Sequence, residues 1–394
     1  MSVTVHHGDS RDVLKTLADA SVDSVVCDPP YALVSIGKRF GAENAAACKP
    51  GKTGAYARAS AGFMGQKWDT GETAFDPAFW VEVMRVLKPG GHLIAFSGTR
   101  TYHRLACAIE DAGFEMRDMI AWLYGSGFPK SHNVGKKTER EEHAGWGTAL
   151  KPALEPIVLA RKPLIGTVAA NVLQHGTGAL NIDASRIENG EYDPAKVQRQ
   201  QSNRQTWEGG EASGFAADHV QSTYSDKGRW PANVIHDGSE EVVGAFPDTT
   251  SGAMKAGTRR AAQDGPGSVC YGTYGGDATK TDTPADSGSA ARFFYSSKAD
   301  AADRCGSKHP TVKPVDLMAY LVRLVTPPGG VTLDPFAGSG STGMACLREG
   351  FDCILIEREA QYIADIHRRL AHVEGGDTPL FSSAPPADFF GGIA

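Results

Sequence analysis

Residues 331–347 read VTLDPFAGSGSTGMACL. A short β-branched run ends on an acid, a glycine-rich turn follows, and apolar spacing then continues as a helix. Gly338, Gly340 and Gly343 stand at G-x-G-x-x-G spacing, and the next apolar run, CILIE, closes on Glu357. Glycines let a backbone come close to a ligand at the head of a helix. A carboxylate ending the following strand can accept from both hydroxyls of a ribose. A tight turn without a ligand has the same glycine spacing; the position of Glu357 favours a nucleoside cofactor.

The turn lacks the Gly-Lys-Ser/Thr of a phosphate-binding P-loop, so no lysine is supplied for a triphosphate. A dinucleotide stays open. Against it, the Asp334 carboxylate beside the turn would repel a pyrophosphate and favour a cationic or zwitterionic ligand, of which S-adenosylmethionine is one.

A second stretch raises a different question. VDSVVCDPPYALVS, residues 22–35, drives an apolar strand into Asp28-Pro29-Pro30-Tyr31. At the carboxyl edge of a parallel sheet this makes chemical sense, because ligands bind there. Pro29, with no N–H and a fixed φ, can hold its carbonyl out as an acceptor beside the Asp28 carboxylate. Two adjacent acceptors match the two N–H donors of an exocyclic amine, and Tyr31 offers a flat face for a base. A conjugated amine is a poor nucleophile, so orienting its lone pair is the expected contribution. The competing reading of these residues is a turn with a capping aspartate.

Outward from the two stretches, VTVHHGD, VDSVVCD, HLIAFSG and FEMRDMIAWLYG read as strands alternating with helical patterns, the rhythm of a parallel α/β sheet. One helix is predicted to start with Asp76 as cap and Pro77 in its first turn, and to stop at Pro89-Gly90-Gly91. Residues 164–290 are rich in Gly, Gln, Ser, Asp and Thr and read as an inserted, loop-rich region. The expected divisions are therefore 1–163, 164–290, 291–375 and a polar tail, 376–394. Apolar residues make up 41% of the 394, enough for a sizeable core, and the net charge of −6 argues against a surface coated in positive charge. The seven cysteines are scattered, with no disulfide frame or zinc spacing, so no metal is expected. No apolar run suits a bilayer and the first residues lack the pattern of a signal peptide, so a cytoplasmic protein is expected.

Taken together, DPPY (28–31), LKPGGHLIAF (87–96), HPTVKP (309–314) and DPFAGSGSTG (334–343) resemble the S-adenosylmethionine-dependent amino methyltransferases of DNA. The order is the permuted β-type, with the catalytic half first, a target-recognition region next and the cofactor half last. GFMGQKWD (62–69), WLYGSGFPKSHNV (122–134) and GWGTALKPALEPIVLARKPL (145–164) are similar to phage- and prophage-type bacterial members. The resemblance implies a class I, Rossmann-like α/β fold, doubly wound on a mostly parallel sheet. It implies catalysis by Asp28, Pro29, Pro30 and Tyr31, and cofactor contacts from Phe336, Ala337, Gly338, Ser339, Gly340, Ser341 and Thr342. Asp334 is then expected near the methionine part, Glu357 on the ribose, Thr311 and Lys313 near the methionine carboxylate, and Asp9 near the adenine. For Lys313 a solvated helix-start lysine, and for Asp9 a plain helix cap, are the alternatives.

The implied substrate is double-stranded DNA with its target base flipped out, adenine N6 before cytosine N4, because Asp at the first motif position is the usual residue of the adenine enzymes. Backbone contacts are expected from Lys130, His132, Lys136, Lys137 and Arg229, and a lid over DNA from the basic residues of 32–61. A homodimer and a tail-docked partner are open. The rivals are methylation of RNA or of a protein glutamine, a non-catalytic DNA-binding protein on the same scaffold, and a nicotinamide dehydrogenase.

Overall fold

The computed structural model describes residues 1–31, 73–128, 131–188, 228–251, 286–297, 302–307, 309 and 311–374. Its strands are β1 (Val3–His7), β2 (Val22–Cys27), β3 (Leu87–Phe96), β4 (Glu115–Leu123), β5 (Leu154–Arg161), β6 (Val234–His236), β7 (Asp248–Ser251), β8 (Asp286–Ser289), β9 (Tyr295–Ser296), β10 (Val331–Asp334) and β11 (Asp352–Glu357). Nine of them form one sheet in the order β1-β11-β10-β2-β3-β5-β4-β6-β9, and β7 pairs with β8 apart from it. Neighbours in the large sheet run parallel except at β5, which is antiparallel to both β3 and β4. The expected doubly wound α/β sheet is thus present, with one reversed strand.

Both faces of the sheet are covered, which is why its central strands are continuously apolar. Val25, Cys27, Leu93, Ala95, Val158 and Ala160 point to the layer containing the helices Pro77–Val86 and Tyr102–Asp111. Their alternates Val26, Ile94, Phe96, Ile157 and Leu159 point to the layer of Val315–Val325, Ser341–Glu349 and Ala360–Glu374. Such alternation across a pleat sets register, because a slip of one residue would exchange the two faces.

The helix Pro77–Val86 starts as predicted, with Asp76 accepting from the Ala78 N–H at 3.0 Å and Pro77 in the first turn. It ends earlier than expected: Leu87 already belongs to β3. The pairing with β2 jumps from Val22–Leu87 to Ser24–His92, so Lys88–Gly91 form a bulge inside the strand. Gly90 has φ +77° and lies under the Asn171 amide, where a Cβ would collide with Nδ2. Buried Asn171 donates to the Pro89 carbonyl at 2.9 Å and the Thr177 carbonyl at 2.8 Å, and accepts from the Ile165 N–H at 2.9 Å. Asn171→Ala is expected to cost about 1–3 kcal/mol in urea unfolding, because the buried Thr177 carbonyl loses its donor and the Ile165 N–H its acceptor.

The described parts of 164–290 are built into this sheet. Helix Val168–His175 packs on β3, β6 extends the sheet beyond β4, and Asn181 N–H donates to the Leu324 carbonyl at 2.9 Å. Residues 189–227 and 252–285 lie outside the described residues. Among the described residues no helix is long and apolar enough to cross a membrane.

One point of the sheet creates the place where a ligand can enter. From β10 the chain passes through helix Ser341–Glu349 to β11 on one side, whereas from β2 it proceeds to β3 on the other. The two connections diverge, and a crevice opens beyond the carboxyl ends of β10 and β2.

Candidate functional site

A cavity of about 1130 Å³ occupies that crevice. Asp28, Pro29, Pro30 and Tyr31 line one wall, and Asp334, Phe336, Ala337, Gly338, Ser339, Ser341, Thr342 and Glu357 line the other, with Asp9, Thr311 and Lys313 also on its surface. The two sequence stretches therefore meet in one hollow. Its size exceeds the roughly 300–1,000 Å³ typical of a single-ligand pocket, so it has room for a cofactor and a base together. Gly340 is the exception: its φ is +81° and a Cβ there would meet Ile366 at 3.1 Å, so it serves helix packing and does not line the cavity.

The glycine turn is held by carboxylates and one guanidinium. Glu357 accepts from the Gly338 N–H at 2.8 Å through Oε2 and from the Glu359 N–H at 2.7 Å through Oε1. Each oxygen keeps a second lone pair, which is what a pair of ribose hydroxyls would need. Burial raises the Glu357 pKa against those hydrogen bonds. Asp334 is more deeply placed than expected: Oδ1 accepts from the Phe336 N–H at 2.9 Å and Oδ2 from the Thr342 hydroxyl. Burial pushes its pKa up to about 7, so it is a staple of the turn and a weak electrostatic lure for a cation.

The serines of the turn are held by the protein itself. Fully buried Arg369 donates to the Ser339 carbonyl at 2.6 Å, the Ser339 hydroxyl at 2.8 Å and the Ser341 hydroxyl at 3.1 Å. The Ser341 hydroxyl donates in turn to the Lys313 carbonyl at 2.9 Å. The hydroxyls of Ser339, Ser341 and Thr342 thus fasten the turn to the rest of the protein. Gly343 allows helix and sheet to meet, since a Cβ there would lie 2.7 Å from Leu355.

On the opposite wall Lys313 is not a solvated lysine. Its Nζ lies 2.9 Å from Asp28 Oδ2, 3.0 Å from Glu155 Oε2 and 2.9 Å from Tyr31 Oη, which accounts for its three protons. It also sits 4.8 Å from the Phe96 ring centroid, and its side chain is 7% exposed. Tyr31 Oη donates to Glu155 Oε2 at 2.9 Å, which fixes the hydroxyl rotor and with it the ring. Asp28 Oδ1 is buried and has no hydrogen-bond partner among the described residues. Burial raises the Asp28 pKa, Lys313 opposes that, and Glu155 adds to it. A rigidly held carboxylate with one unsatisfied oxygen in a cavity wall is an acceptor for a donor that arrives from outside.

Glu155 and His309 are the site residues that the sequence motifs did not single out. Glu155 begins β5, and because β5 is reversed its first residues lie at the ligand edge, Glu155 opposite Trp122 of β4. His309 is buried, with burial lowering its pKa to about 4, and packs edge-on against Tyr362 at 4.4 Å. A Cβ on Gly338 would lie 3.2 Å from His309 Nε2, and the Thr311 N–H donates to His309 Nδ1 at 3.3 Å. The sequence contains signals for both, in EPIVLAR and HPTVKP, but not the spatial partners that give them meaning.

Asp9 caps the short helix that follows it and forms a bidentate pair with Arg11, at 2.9 and 2.7 Å, which holds its carboxyl below the usual range. Arg229, expected on DNA, directs its guanidinium inward, to the carbonyls of Glu188 at 3.4 Å and Arg292 at 3.3 Å and over the Phe293 ring. His132, Lys136 and Lys137 are exposed. Lys130, the 32–61 stretch with its basic residues, GFMGQKWD and the tail lie outside the described residues.

Comparison with known proteins returns the same family. The sequence profile described as DNA methylase matches residues 22–368. The type II methyltransferase M.HindIII of Haemophilus influenzae is 26% identical over 200 residues, 45% of this chain and 64% of that protein. This chain thus spans just under two thirds of that relative's length. Among solved structures, PvuII DNA methyltransferase (cytosine-N4-specific) superposes with a TM-score of 0.44 at 14% identity, over 95% of this chain and 91% of the other. The M1.HpyAVI–SAM complex gives 0.40 at 16% identity, over 94% and 100%. With the profile covering most of its length, the chain belongs to the DNA methylase family.

Proposed function

We propose that this chain transfers a methyl group from S-adenosylmethionine to the exocyclic amine of a base extruded from duplex DNA, adenine N6 in preference to cytosine N4. The family is S-adenosylmethionine-dependent, and the cofactor when bound supplies an electrophilic methyl on a sulfonium. The observation that carries the proposal is the unpaired, buried Oδ1 of Asp28 in the same hollow as the Gly338 turn. A base amine donating to Oδ1, and to the carbonyl of Pro29 beside it, is held with its lone pair toward the turn. Asp28 acts by orientation and charge and need not remove a proton, since an alkylated amine is acidic enough to lose one by itself.

In this reading Glu357 takes the ribose hydroxyls, the backbone of Phe336, Ala337, Gly338 and Ser339 borders the nucleoside, and Thr311 borders the amino-acid end. Tyr31 gives the base its stacking face. Its hydroxyl is anchored at the far side by Glu155 and Lys313, so the ring is set before a base enters. The duplex must open for any amine to reach such a recess.

Expression in a methylation-free bacterial host, followed by sequencing of genomic DNA with modified-base detection, tests the proposal. N6-methyladenine in one recurrent sequence is the expected result. N4-methylcytosine would reassign the base, and unmodified DNA from cells holding folded, cofactor-binding protein would return the non-catalytic alternative.

A further inference from the structure

The stretch GWGTALKPALEPIVLARKPL puts one acid, Glu155, into the site at the start of β5, the reversed strand of the large sheet. Glu155 lies within reach of neither the turn nor the unpaired oxygen of Asp28 by any described hydrogen bond. Its single engaged atom, Oε2, instead receives two protons, one from Tyr31 Oη at 2.9 Å and one from Lys313 Nζ at 3.0 Å. Both donors also border Asp28. Without an acceptor at Glu155, the Tyr31 hydroxyl and the third Lys313 proton would turn to the nearest remaining carboxylate, and that is Asp28.

Resting on the proposed methyl transfer, we infer that Glu155 is a positioning residue: by taking those two protons it keeps Asp28 Oδ1 open to the target amine. It has a second consequence. Asp28 and Glu155 against Lys313 leave the cluster with one net negative charge. The amine nitrogen forms its bond to the methyl carbon with its own lone pair and turns positive until a proton leaves to solvent. A net anion placed beforehand in a water-poor wall favours that positive nitrogen. A neutral cluster would lack this effect.

The charged and titratable groups around Asp28 are Lys313, Glu155, Tyr31, Asp334 and Cys27, with Tyr124 beyond Glu155. Of these, Glu155 opposes ionisation of Asp28 by like charge. Transfer needs Asp28 ionised, so activity falls as pH drops through its pKa. Removing the Glu155 charge lowers that pKa and moves the acid limb to lower pH.

The test compares Glu155→Gln, Glu155→Leu and Glu155→Asp with the wild type. Glu155→Gln removes the charge but keeps an amide oxygen that can accept from Tyr31 and Lys313. It is expected to bind cofactor normally, to lose turnover on the order of tenfold to a hundredfold with KM for DNA little changed, and to show the acid limb displaced to lower pH. Glu155→Leu, which removes the acceptor as well, should lose more. Glu155→Asp keeps the charge on a shorter arm, so it should lose rate but hold the wild-type limb. In parallel, the Asp28 carboxyl is titrated by NMR with ¹³C-aspartate, its resonance identified by its loss in Asp28→Asn. It should titrate at lower pH in Glu155→Gln. A limb and a titration unmoved in Glu155→Gln overturn the inference. If the wild type methylates no duplex DNA, the functional proposal fails by itself. The carboxyl titration then decides the role of Glu155 alone, a downward displacement supporting it and none refuting it.

Discussion

Replacing Asp28 by alanine is expected to slow methyl transfer roughly a thousandfold while leaving affinity for S-adenosylmethionine nearly intact. The turn on the cofactor wall is held by Glu357, Asp334 and Arg369, none of which depends on Asp28 for a hydrogen bond. Lys313 keeps Glu155 and Tyr31 as partners, so the substitution does not strand a buried charge. What disappears is the acceptor for the base amine. Asp28→Asn should be no better, for a reason of geometry. The ammonium of Lys313 will draw the amide oxygen to itself, which points the NH₂ at the incoming amine, donor against donor. Single-turnover transfer of labelled methyl to duplex DNA, with calorimetric titration of the cofactor, measures both quantities. Equal loss of binding and of rate would show that the two walls do not have separate roles.

Gly338→Val is the complementary case, with the loss expected in cofactor affinity, about tenfold to a hundredfold. Gly338 has φ +54°, a region that a β-branched residue enters only at a cost of about 1–2 kcal/mol or more. The new Cβ would also press on His309 Nε2 at 3.2 Å, and His309 is hemmed in by Tyr362 at a centroid distance of 4.4 Å. The backbone must therefore shift, and with it the N–H that Gly338 gives to Glu357. Turnover at saturating cofactor should recover most of its wild-type value, since Asp28 and its neighbours stand on another strand. A variant whose dissociation constant is unchanged would mean that the turn does not border the cofactor.

These two outcomes rest on features that local sequence displays. DPPY after a buried strand and DPFAGSGSTG after another are legible because each packs strand end, turn chemistry and functional residue into a few neighbouring positions. The features hidden from the sequence have their cause in long-range contacts. IVLA of β5 announces a strand covered on both faces, but an apolar run has no direction, and reversal alone brings Glu155 to the ligand edge. Arg369 sits in an ordinary amphipathic helix pattern, and only its burial against Ser339 and Ser341 reveals that it fastens the glycine turn. Lys313 lies in a motif, but its partners come from the end of β2 and from β5, so the motif by itself does not announce the ion pairs it makes. The bulge at Lys88–Gly91 reads as the end of a helix because Pro-Gly-Gly signals a break and carries no information about the conformation beyond it.

The strand order also bears on how the polypeptide emerges from a ribosome. β1 and β2 follow one another closely in the chain, yet in the finished sheet they are separated by β11 and β10, synthesised some 300 residues later. Until those two arrive, β2 has a bare edge on one side and β1 has no partner at all, a condition that invites mispairing with other chains. Asp28 is therefore translated well before β10 and β11 supply its surroundings, so completion of the hollow waits on those later strands.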